Sequence, residues 1–157
     1  MIKQLLLPFL AVVAFIVIVG VLLQKSSTLN PTQKIVTIDG KAITVEVANT
    51  EAEREQGLSG RTSLAADSGM LFIFDTKGVN PTFWMKDMLI PLDFIWISNN
   101  KIVKIDKNVP NPSPNTSASG LTLYTVGQPI DYVLEVNAGF SQNNSIKVGD
   151  SVTFTGI

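Results

Sequence analysis

The sequence predicts a mainly β fold: a compact, closed or partly open barrel-like domain with one short helix, preceded by a single N-terminal transmembrane helix. Three observations predict it. Short apolar segments of strand length recur from residue 35 onward, parted by turn dipeptides such as Asp39-Gly40 and Asn99-Asn100. Two of those segments are apolar on both faces, which implies a closed barrel or a sandwich with covering elements. Near the N-terminus, Leu5 to Leu23 is an uncharged and almost wholly apolar run.

A chain of 157 residues supports one folded domain, divided as an anchor over residues 1–25, a polar linker over 26–33 and the β domain over 34–157. At about 1.5 Å per residue, the apolar run spans about 30 Å, the thickness of one hydrocarbon core. A cleaved signal peptide is the competing reading. The run is longer than a usual signal-peptide core, however, and Val21-Leu22-Leu23 offers no small-residue cleavage site. The expectation is therefore a retained signal anchor in the cell membrane, with the C-terminal domain outside the cytoplasm.

Composition removes whole classes of chemistry. There is no cysteine and no histidine, so thiol nucleophiles, disulfides, Cys/His zinc sites and Ser-His-Asp triads are all excluded. No metal and no cofactor is expected. Of the 12 Lys+Arg, Lys3 and Lys25 flank the apolar run, which leaves 10 against 13 Asp+Glu and a net charge of −3 beyond Ser26. A mildly acidic domain with two arginines and no basic cluster is not a nucleic-acid binder, because phosphate neutralisation needs clustered cations.

In chain order, Ile35 to Asp39 and Ile43 to Val47 flank Asp39-Gly40 as a hairpin. A helix opens at Thr50, with Glu53 placed as its reciprocal capping-box partner and Gly57 as its stop. The glycine-bracketed turn Leu58-Ser59-Gly60-Arg61 follows. Arg54 and Arg61 both fall in this segment; they are either a solvated face and turn, or Arg61 pairs a carboxylate elsewhere. Met70 to Asp75 is a strand with Leu71 and Ile73 on one face and Phe72 and Phe74 on the other. Pro91 interrupts any ladder, so Thr82 to Lys86 and Leu92 to Ser98 read as two strands joined by a bend. Asn99-Asn100 turns the chain into Lys101 to Asp106. Asn108 to Gly120, rich in Pro, Ser and Asn, is a surface loop, with a lid as the alternative. Strands are expected again at Leu121 to Val126, Ile130 to Asn137 and Val152 to Thr155, with a helical turn within Ala138 to Asn144. The count is eight or nine strands, without βαβ alternation.

Four blocks in this order resemble one family. They are Glu53-Arg54 to Gly57-Leu58 with Gly60-Arg61; Gly69-Met70-Leu71-Phe72 to Phe74; Phe83-Trp84-Met85-Lys86 with Ile90-Pro91-Leu92-Asp93; and Tyr132 to Gly139 with Gly149-Asp150. Together they resemble the domain of unknown function 192 family over residues 35 to 155. The resemblance implies a compact, mostly β, barrel-like fold that is commonly exported or membrane-tethered, and it implies no established activity. This chain departs from the family pattern after Lys86, where Asp87-Met88 replaces Asn-Thr, so Asp87 is not carried over as a family-wide feature.

The polar residues among the apolar strands are Arg54, Arg61, Lys86, Asp87, Asp93 and Glu135. One reading is structural, with Arg54, Arg61, Asp93 and Glu135 forming ion pairs that hold the strands. A second is a binding module. In it Trp84, Lys86 and Arg61, with Asp87 or Asp93, line a cleft for an envelope glycan or peptide, the indole serving as a stacking platform. A third is an accessory domain docked on a membrane partner. The enzymatic alternative is a hydrolase of envelope carbohydrate using two carboxylates among Asp87, Asp93 and Glu135, which must face one cleft. No nucleophile-plus-base motif is visible, which favours binding over catalysis.

Overall fold

The computed structural model describes residues 33–157. The expected membrane anchor and nearly all of the linker lie outside the described residues. Among the described residues, no helix is long and apolar enough to cross a membrane.

The described residues form one seven-stranded sheet with two short helices. In chain order they are β1 (Ile35–Ile38), β2 (Lys41–Ala48), α1 (Glu51–Gln56), β3 (Ser68–Ile73), β4 (Leu92–Ser98), β5 (Lys101–Val109), a 3-10 turn (Ala118–Gly120), β6 (Tyr132–Asn137), α2 (Phe140–Asn143) and β7 (Val152–Thr155). The strand order is β5-β4-β6-β3-β2-β1-β7. The sheet curls into a half-barrel. The start of β5 meets the start of β7 through a bridge between Lys101 and Ser151, with Ile102 N–H donating to Asp150 and Val152 N–H to Asn100.

Both expected two-residue hairpins are present. Asp39 and Gly40 have φ of 45° and 84°, and Asn99 and Asn100 have 50° and 57°. Positive φ at both central residues matches the right-handed twist of the flanking strands. The capping box of α1 is also complete: Thr50 Oγ1 accepts from Glu53 N, while Glu53 Oε2 accepts from Thr50 N. The helix spans the crossover between β2 and β3, which pair in parallel, with Val45 opposite Gly69 and Val47 opposite Leu71. One βαβ unit is therefore present, contrary to the expectation of none. A parallel pair needs such a crossover, and a six-residue helix is too short to announce one by periodicity.

Two expected strands are absent. Thr82 to Lys86 and Leu121 to Val126 share a single antiparallel bridge, Phe83 with Tyr124, closed by two hydrogen bonds of 2.9 Å. The chain turns at once, Met88 N–H donating to Met85 C=O and Asp87 adopting φ 56°. The alternation that suggested a strand is real: Met85 is buried while Trp84 and Lys86 are exposed. It belongs to a covering segment, and the strands among the described residues number seven.

The sheet is buried on both faces. One apolar cluster draws on all seven strands, including Val36, Ile43, Leu71, Ile95, Ile102, Leu134 and Val152, and so fills the interior of the half-barrel. The other holds Phe72, Leu92, Phe94, Trp96 and Val133, covered by Leu58, Met85 and Met88. β4 shows the predicted division, with Leu92, Phe94 and Trp96 on the outer face and Ile95 and Ile97 inside. Phe83 sits at the centre of the outer cluster, its ring 4.9 Å from Phe72, 5.8 Å from Phe94 and 5.5 Å from Trp96, all edge-on. Such T-shaped contacts contribute beyond area burial alone.

Candidate functional site

Under the covering segment, one row of side chains runs across the outer face. Phe94 of β4 is opposite Glu135 of β6, Glu135 is opposite Met70 of β3, and Met70 is opposite Glu46 of β2. Glu135 therefore stands in the middle of the sheet. β3 can approach β6 closely there because Gly69 has no side chain: a Cβ at that position would lie 2.5 Å from the Glu135 carbonyl oxygen.

Glu135 is 5 % exposed, and its Oε2 has no hydrogen-bond partner. Burial raises its carboxyl from the ordinary 4.5 to about 8, since a charge removed from water is disfavoured. It lies at the base of a cleft of about 490 Å³. The walls are the aromatic residues Phe72, Phe74, Phe83 and Trp84, with Met88, and the helix α1 on the other side. Trp84 is 50 % exposed. It is not buried against the helix, the one placement that would have excluded a stacking role.

Arg54 fixes the helix wall. Its Nη1 donates to the carbonyls of Asn49 and Ile73 at 2.9 Å, and Nη2 reaches Asp75 at 3.5 Å. The guanidinium also lies 5.9 Å from the centre of the Phe74 ring. Glu51, Glu55 and Asp75 bring three further carboxylates to the rim against this one guanidinium.

The structure separates the remaining residues the sequence singled out. Arg61 does not line this cleft. It makes a two-pronged ion pair with Glu46, Nη2 to Oε2 at 2.7 Å, which lowers the Glu46 carboxyl and raises the guanidinium. The sharper expectation for Arg61 thus holds, with a partner the sequence did not nominate. Lys86 and Asp87 line a neighbouring shallow pocket with Gln56, Ser59 and Gly60. Their backbones tie that corner down: Ser59 Oγ donates to Lys86 C=O and Gly60 N–H to Asp87 C=O.

Asp93 is fully buried and is not an arginine partner, a correction to the ion-pair expectation. Its carboxylate accepts backbone N–H groups from Asn108 (2.8 Å), Gly139 (3.1 Å) and Ser141 (2.9 Å). It thereby holds the irregularity in β5 at Asn108, where φ is 52°, and the entry to α2. Such charge-assisted bonds are about twice as strong as neutral ones. Glu135 is the second correction, since its carboxyl pairs with neither arginine. Asp93 stands opposite Val136 and Glu135 opposite Phe94, so the two carboxyl groups project from opposite faces.

Sequence reading missed Phe72, Phe74, Phe83 and Asp75 as cleft residues, and Glu46 as the partner of Arg61. The signal that was available is the pairing of Phe72 with Phe74 on one face of β3. Which element covered that face was not legible.

The domain of unknown function 192 (DUF192) profile, described as uncharacterized ACR, matches residues 34–154. The chain belongs to the DUF192 family. Two solved structures share the DUF192 fold seen here. One, from Sinorhizobium meliloti 1021 and named as a candidate transcription regulator, is 32% identical with a TM-score of 0.68, covering 80% of this chain and 97% of that one. The other, a protein of unknown function from Novosphingobium aromaticivorans DSM 12444, is 31% identical with a TM-score of 0.67, covering 80% and 89%. No curated protein sequence matches the chain.

Proposed function

We propose that this DUF192 domain is a binding module, tethered outside the cytoplasm by the apolar N-terminal segment, that takes an envelope glycan or peptide into the cleft beside Trp84. The observation that carries the reading is the half-exposed indole on an aromatic-walled cleft of about 490 Å³ with a buried polar group at its base. Ligand sites combine an apolar lining with a few convergent polar groups in this way. The tether rests on the sequence, where Leu5 to Leu23 has the length of a membrane span. A membrane-protein partner seated on the same cleft is the variant of this reading in which the ligand is itself a protein.

The test is ligand-dependent quenching of tryptophan emission, measured on the full chain in detergent against panels of glycans and peptides. Trp96 is fully buried, with Nε1 bonded to Asp106 at 2.7 Å, so a response at the cleft comes from Trp84. Trp84→Phe should abolish the response while leaving the melting temperature near that of the parent. No change in emission across both panels would sink the proposal.

The hydrolase alternative keeps one of its two groups. Glu135 is held in the protonated state that a general acid needs. Asp93 lies on the other face, and Asp87 lines the neighbouring pocket. Binding is the reading this geometry favours, and turnover of a chromogenic glycoside that Glu135→Gln abolishes would reverse the preference.

A further inference from the structure

The base of the cleft holds a carboxyl group that is 5 % exposed with an unpartnered oxygen, and the rim carries three carboxylates against the single guanidinium of Arg54. That guanidinium is already engaged by two carbonyls and Asp75. Around it, Phe72, Phe74, Phe83 and Trp84 present aromatic rings. Ring faces attract cations, and do so more strongly when the site is desolvated. An anionic ligand would meet surplus negative charge here, and a neutral one would leave that charge unused. Glu135, once ionised, is an acceptor only and calls for N–H donors.

We propose that the group recognised in this cleft is a primary ammonium carried on an apolar, peptide or sugar body, seated against Glu135 and the aromatic walls. The inference rests on the reading of the cleft as a binding site and narrows its ligand class. Binding is a proton exchange: the ligand enters as R–NH₃⁺, the Glu135 carboxyl gives up its proton to solvent, and the buried charge is neutralised by the ammonium. The charged groups sharing the cleft or its face are Glu51, Arg54 and Glu55 from α1, Asp75 after β3, and Glu46 of β2 with its partner Arg61. Asp106 and Lys104 follow on β5.

The test measures affinities by isothermal titration calorimetry on the full chain in detergent, using matched probes. These are a lysine tripeptide with blocked termini against its Nε-acetylated form, and the glucosamine trimer against its N-acetylated form. At least one free-amine probe should bind at least about tenfold more tightly than its acetylated partner, the size expected for a charge-assisted bond. Which pair responds identifies the body that carries the amine. Two buffers of different ionisation enthalpy should report release of up to one proton. For the lysine probe, whose amine stays protonated throughout this range, the affinity should rise by up to about tenfold per pH unit up to about pH 8, because the proton no longer has to be displaced. Glu135→Gln, an isosteric neutral variant, should erase the preference for the free amine without lowering the melting temperature at pH 7. Equal binding of free and acetylated probes would overturn this inference and leave the binding module standing. Binding of none of the four, with no response across the wider panels, would overturn both.

Discussion

At the scale of single residues, the domain handles its three principal carboxylates in three ways. Glu46 pairs with the Arg61 guanidinium, Asp93 accepts three backbone N–H groups, and Glu135 keeps its proton. The last has a stability consequence whose sign follows from linkage. A carboxyl whose folded pKa lies above its ordinary value binds its proton more tightly in the folded chain, so stability falls as pH rises from about 4.5 and levels off above about 8. At about 1.4 kcal/mol per unit, the gap between 4.5 and about 8 corresponds to an effect on the order of 5 kcal/mol. Glu46 and Glu53, both lowered, act in the other direction: they stabilise above about 4.5, and that contribution is lost as pH falls below it. Urea unfolding of the full chain should therefore show greater stability near pH 5–6 than at pH 9. In Glu135→Gln the decline toward alkaline pH should be largely absent. An undiminished decline in that variant would show that another group carries it.

At the scale of elements, α1 matters more than its six residues suggest. Short helices are marginal alone, and no residue of α1 is buried. Its place is held by the capping box at Thr50 and by Arg54, which bonds across to β3 and to Asn49. Because α1 forms one wall of the cleft, its fraying should loosen the site as well as the fold. Thr50→Ala is expected to cost about 1 kcal/mol in chemical denaturation, the usual worth of a helix cap, and to weaken binding at the Trp84 cleft. The covering segment at residues 82–88 shows the opposite relation between pattern and structure. Alternation of Phe83 and Met85 with Trp84 and Lys86 reads as a strand, since period-2 burial is the signal for one. Here the same alternation comes from a segment lying on an apolar face with one side wet. Only a ladder of strand partners for the backbone N–H and C=O groups distinguishes the two, and among the described residues this segment has a single β-bridge, Phe83 with Tyr124.

At the scale of the whole molecule, the half-barrel places the two tryptophans in opposite environments. Trp96 is sealed between β4 and its cover, while Trp84 stands half in solvent on the cleft. Iodide should therefore quench one emitting population and spare the other, with the spared emission at shorter wavelength. Trp84→Phe should remove the accessible population. Accessible emission persisting in that variant would place Trp96 nearer the surface than the structure does.

Seven of the nine expected strand segments, the hairpin turns, the capped helix and the two-faced burial of β4 were legible, because each is written in nearest neighbours: positive-φ turn residues, a capping box, a period of two. The same period misled at Thr82 to Lys86 and Leu121 to Val126. The family, too, was legible from its ordered blocks. Of the candidate binding residues, Trp84 lines the cleft, and Glu135 and Arg54, expected as ion-pair members, line it too. Arg61, Lys86, Asp87 and Asp93 were grouped with Trp84 as polar residues among apolar segments, and the fold sends them elsewhere. The sequence by itself determined the seven segments that do form strands, which chemistries were excluded for want of histidine and cysteine, and that an ionisable group would sit inside the strand around Glu135. Only the tertiary structure decided that β2 and β3 run parallel, that Glu46 meets Arg61, and that Asp93 and Glu135 face opposite ways. Those outcomes depend on strand order and register, where a shift of one residue turns a side chain from one face of the sheet to the other.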